Sequence, residues 1–72
     1  IMPSFKAREI VRILQKRGYI QKRQTGSHLM MYHPKSKSII PVPIHTKELK
    51  KGLVRGIMKQ AESSEKEFIK LK

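Results

Sequence analysis

Gly26 and the run Pro34-Lys35-Ser36-Lys37 punctuate the middle of this chain so closely that only short extended segments fit around them. Residues 19–24 read as a strand, Gly26 supplies the turn, and residues 28–33 make a second strand. After the Pro34 turn, residues 38–43 make a third. Pro41 and Pro43 lack N–H groups, so that third strand should lie at a sheet edge or end early. Its neighbour has an open register, because Leu29-Met30-Met31-Tyr32 offers apolar side chains to both faces.

Helical periodicity flanks this block on both sides. Ser4 is a candidate N-cap for a helix over residues 4–17, where Ala7, Ile10, Val11 and Leu14 recur at i, i+3, i+4 and i+7. Lys16 and Arg17 suit its negative end, and Gly18 its C′ position. Thr46 is the matching cap for a helix over 47–60, with Glu48 in the first turn. Leu49, Leu53, Ile57 and Ala61 form its stripe, flanked by Val54 and Met58. Gly52 and Gly56 weaken that helix, which predicts a close backbone approach to the sheet or the other helix, with a hinge as the alternative. Ser64-Glu65-Lys66-Glu67 has capping-box spacing ahead of Phe68, Ile69 and Leu71, so a short third helix over 64–71 is expected to pack on the domain.

The order is α-β-β-β-α, an α+β class. It predicts a three-stranded antiparallel sheet with both long helices on one face and a single domain over 2–72. Ile1, ahead of Met2, is read as a cloning leftover and set aside. This is the architecture of double-stranded-RNA-binding domains, a fold shared by binders and enzymes. At 72 residues the core is thin, and with no cysteine there is neither a disulfide nor a thiolate metal site. No secretory leader or membrane-spanning apolar run is read, which predicts a soluble cytoplasmic protein.

Charge narrows the partner. Residues 1–61 carry 14 Lys and Arg against Glu9 and Glu48 alone, the whole of the net +12, while residues 62–72 are neutral. A field that one-sided attracts polyanions, and nucleic acid or an acidic protein fits it. No helix pairs its cations with exposed Trp, Phe or Leu, which argues against a membrane surface.

Against that background Thr25-Gly26-Ser27-His28 sets a titratable side chain just past a turn. RNA carries its own nucleophile, the 2′-hydroxyl, so a proton-transfer group and cations on the phosphate suffice for cleavage. His28 is the candidate for the first role; the plainer reading is a surface histidine on a binding domain. His45 precedes the second helix, where it either assists or shapes the turn. Lys47, Lys50 and Lys51 oppose that helix's dipole, and Lys22, Arg23, Lys35 and Lys37 extend the positive surface. Tyr32 could stack on a base if it points outward, but a Tyr in a strand is more often packed. His28, His33 and His45 match no metal-ligand spacing, and no Asp is present to orient an imidazole beside Ser27. No cofactor is expected.

Four blocks in order carry a resemblance: Gly26-Ser27-His28, Tyr32-His33-Pro34, Val42-Pro43-Ile44-His45 and Lys47-Glu48-Leu49-Lys50-Lys51-Gly52. Together they resemble HicA-type mRNA interferase toxins from Phe5 to Leu71. The closing Ser64-Glu65-Lys66-Glu67-Phe68 is similar to the family's C-terminal segment. Leu29, where family members often carry a polar residue, and the two methionines after it are departures. The resemblance implies a metal-independent endoribonuclease that cuts mRNA and blocks translation, with His28 catalytic and Gly26 and Ser27 supporting the turn. It implies a HicB-type antitoxin that covers the site, with DNA met only through the antitoxin complex. The residues alone leave two alternatives open. One is a non-catalytic RNA-binding module of the same fold; the other is a surface serving only an antitoxin.

Overall fold

The computed structural model describes residues 2–72, so Ile1 lies outside the described residues. Its elements run β1 (Phe5–Lys6), α1 (Ala7–Lys16), β2 (Ile20–Thr25), β3 (His28–Tyr32), β4 (Ile39–Pro43), β5 (Glu48–Leu49), α2 (Lys51–Gln60) and α3 (Glu65–Leu71). The class is α+β, with the α-β-β-β-α order of a double-stranded-RNA-binding-like fold. The β2-β3-β4 sheet is antiparallel throughout.

α1 forms because Ile10, Ile13 and Leu14 share one side of the helix with Ala7 and Val11, and all five are buried. It ends in a Schellman turn. Tyr19 N–H donates to the Leu14 carbonyl at 2.9 Å and Gly18 N–H to that of Gln15 at 3.0 Å, with Gly18 at φ +96°.

Both long helices begin later than their cap signals suggest. Phe5 and Lys6 pair in antiparallel register with Leu49 and Glu48, so neither segment is helical. Ser4 and Thr46 therefore cap nothing, and α1 and α2 start after Lys6 and Lys50. Burial decides this. A cap contributes about 1 kcal/mol, whereas enclosing a side chain such as Phe5 or Leu49 contributes about 1.5–3 kcal/mol. At the start of α1 the Lys6 N–H is still satisfied, because the Glu9 carboxylate accepts it at 2.8 Å.

The later start also turns α2. Val54, Ile57, Met58 and Ala61 face the core, while Leu53 is 41% exposed. Gly52 and Gly56 consequently face solvent, and a β-carbon at either would meet nothing within 4 Å. The close approach expected of them is absent.

The core lies between the helices and the inner sheet face, which supplies Met31, Ile40 and Val42 with Leu29 packed beside them. Ile44 N–H donates to the Ser27 carbonyl at 2.9 Å. By strand alternation, positions 41 and 43 turn their nitrogens to the open edge, so Pro41 and Pro43 sacrifice no ladder bond. α3 closes the other end of the core: the Ser64 hydroxyl accepts the Glu67 N–H at 3.2 Å, and Phe68 is fully buried edge-on to Phe5.

Candidate nucleic-acid interface

The site begins with an irregularity in β2. Gln21 pairs with Met31 and Arg23 with Met30, leaving Lys22 as an extra residue. Strict alternation would send Lys22 and Arg23 to opposite faces; the bulge sends both outward. The Lys22 ammonium lies 4.6 Å from the centre of the Tyr32 ring, and Arg23 stands in the row of Met30 and Pro41. β3 now has one register. Leu29 and Met31 point inward, and His28, Met30 and Tyr32 point to the outer face.

His28 opens the central strand of that face. Thr25 and His28 close a two-residue turn in which Gly26 takes φ +60°, a conformation glycine adopts freely. On its other side His28 pairs with Pro43, two residues ahead of His45. Both histidines are exposed. His45 does not sit against a helix start as expected, since β5 separates its loop from α2.

Beyond the Ser27–Ile44 backbone bond lies a shallow groove of about 220 Å³, lined by Lys6, Ala7, Arg8, Ile44, Thr46 and Lys47. Lys47 lies in this loop rather than in a first helical turn. Lys50 and Lys51, both exposed, take the N-cap and first positions of α2, whose first turn holds no acid. Lys6 and Arg8 were not singled out from sequence, yet the same signal marks them: cations at the positive end of a helix.

His33 stands apart. It lies past the far end of β3, where its Nδ1 accepts the N–H groups of Lys35 and Ser36 at 3.2 Å each. Its ring meets Tyr19 edge-on at 5.0 Å, and the Tyr19 hydroxyl donates to Ser38 Oγ at 2.9 Å. This histidine holds a turn together, and Lys35 and Lys37 belong to that distant end. Among the described residues no three His, Asp or Glu side chains gather as a metal-binding group.

The family model described as HicA toxin of bacterial toxin-antitoxin matches residues 7–62 of this 72-residue chain. The chain belongs to the HicA toxin family. A search of the curated proteins finds no match. Membership makes this protein the toxin of a toxin–antitoxin system, with an antitoxin as its partner. The part matched to HicA spans α1, the whole three-stranded sheet and α2, and so includes His28, Arg8, Lys47, Lys50 and Lys51, while Lys6 precedes it. β1 and α3 lie outside it. No helix of this HicA protein, among the described residues, is long and apolar enough to cross a membrane.

Proposed function

We propose that this HicA-family toxin is an endoribonuclease that cuts mRNA, with His28 as the group that moves the proton. The observation that carries this reading is the position of His28. It is exposed at the end of β3 on the outer sheet face that bears Lys22 and Arg23, and its neighbour Ser27 is bonded to Ile44, which lines the groove of Lys6, Arg8 and Lys47. Cations on both sides can hold the phosphates either side of a scissile bond and offset charge as it builds on the reacting one.

His28 takes the 2′-hydroxyl proton as the 2′-oxygen bonds to phosphorus, and the bond from phosphorus to the 5′-oxygen breaks. The leaving oxygen takes a proton from a general acid, for which His45, just past the Pro43 partner of His28, is the candidate. The products are a cyclic phosphate and a 5′-hydroxyl. An antitoxin of the HicB type silences the toxin by covering this positive surface with an acidic one, and action on mRNA places the pair in the cytoplasm.

The deciding experiment compares expression of the wild type with His28→Ala. Arrested growth and degraded mRNA are expected from the wild type alone. Equal effects from both would remove His28 from catalysis. Pure protein that binds RNA with a steep salt dependence yet cuts none would make it a binding module. Cleavage is also expected to persist in EDTA and to fail on a 2′-deoxy substrate.

A further inference from the structure

We propose that the outer sheet face is a platform for an unpaired RNA base, with Tyr32 as the stacking ring and Lys22 holding the adjoining phosphate. The inference rests on the nuclease reading only in taking RNA as the ligand. Three observations carry it.

The first is an apolar row in the wrong place. Ile20, Tyr32 and Ile39 are register partners straight across β2, β3 and β4, and Ile20 and Ile39 are 51% and 45% exposed. Met30 and Pro41 form the next row and His28 and Pro43 the one after. A solvent-facing sheet surface ordinarily carries polar side chains. Duplex RNA has little use for such a surface, since it presents phosphates and 2′-hydroxyls; an unpaired base presents a π-face that stacks on aromatic rings.

The second is the bulge, which seats two adjacent cations against this row. Lys22 reaches the Tyr32 ring and Arg23 flanks Met30. Residues 10–47, which contain the entire sheet, hold no Asp or Glu, so nothing on this face repels a phosphate.

The third is size. Three strands span about 10 Å, and the run from His28 to Tyr32 about 13 Å. That extent gives one or two bases room to stack. The face is also continuous with His28, in the same strand and on the same side. The base on Tyr32 is therefore held about 13 Å from His28, away from the cut, so that the platform selects single-stranded over paired RNA at a distance from the reacting bond.

The test uses His28→Ala protein, which keeps the probes uncut, and fluorescence anisotropy with a labelled single-stranded RNA and a blunt-ended duplex of the same strand. The single strand is expected to bind at least tenfold more tightly. Tyr32→Ala should weaken single-strand binding by roughly tenfold or more and leave the duplex unchanged, while Tyr32→Phe stays within about twofold. Equal affinity for the two probes, or equal losses in the Phe and Ala variants, would overturn the proposal. So would intact RNA binding in Tyr32→Ala combined with lost antitoxin capture, which would assign the face to an acidic protein. Cleavage by the wild type is scored separately. A Tyr32-dependent single-strand preference in a protein that cuts nothing sinks the nuclease reading and keeps the platform; His28-dependent cleavage with no such preference does the reverse.

Discussion

A β-carbon on Gly18 would stand 2.8 Å from Nε2 of His33. Neither side can yield. Gly18 is held at φ +96° by the turn that ends α1, and the imidazole is pinned by two N–H donors on Nδ1 and by Tyr19. Gly18→Ala should therefore lose about 1–3 kcal/mol from the left-handed backbone alone, with the clash added. Urea melts check this, and His33→Ala supplies the control. In that background Gly18→Ala should cost measurably less than in the wild type. Equal costs in the two backgrounds would show that the contact carries no energy.

That contact joins two residues 15 positions apart and so has no local signal in the sequence, and the same limit explains the other differences. Helix, strand and turn identities were legible because periodicity, Gly18, Gly26 and Pro34 act locally. The pairing of Phe5 with Leu49 acts across more than forty residues, so Ser4 and Thr46 kept the look of caps they do not provide. The phase of α2 followed that error, which moved Leu53 from core to surface. The bulge at Lys22 has no glycine to announce it, and the register of Leu29 to Tyr32 was fixed only by the core that Leu29 and Met31 join. His28 was legible as a candidate because it follows a turn in a basic chain; Arg8 was passed over because its groove is built from two distant segments.

Phe68 lies outside the stretch matched to the family, yet it is fully buried and meets Phe5 edge-on at 6.3 Å. Phe68→Ala should cost about 3–5 kcal/mol. A core this small holds only about 3–5 kcal/mol in total, so the variant should be largely unfolded by circular dichroism at 25 °C. A melt like that of the wild type would show α3 to be dispensable.

Gly52 and Gly56 are exposed helical residues with open space around them. Gly52→Ala and Gly56→Ala should each stabilise by about 0.5–1 kcal/mol, nearly additively. Glu62 gives the converse case: it sits at φ +53° just past α2, where Glu62→Gly should relieve part of a strain of about 1–2 kcal/mol. Thermal melts check all three, and a loss of stability in either alanine variant would mean that the α2 surface is not as open as its geometry.

The two cation groups make separable predictions for RNA. Lys22 and Arg23 belong to the sheet face, and Lys50 and Lys51 to the start of α2. Each lysine or arginine that neutralises a phosphate contributes about 0.7 to the slope of log affinity against log salt on a single strand. Lys22→Ala and Lys51→Ala should therefore each lower that slope by about 0.7, with little change in sequence preference. Their effects on a blunt-ended duplex should differ: Lys51→Ala weakens its binding too, because a helix start binds any phosphate, while Lys22→Ala leaves it alone, because a duplex does not reach the platform. Salt titrations of the four combinations decide it. A slope lowered by Lys51→Ala but untouched by Lys22→Ala on the single strand would place RNA on the α2 edge alone and leave the sheet face to another partner.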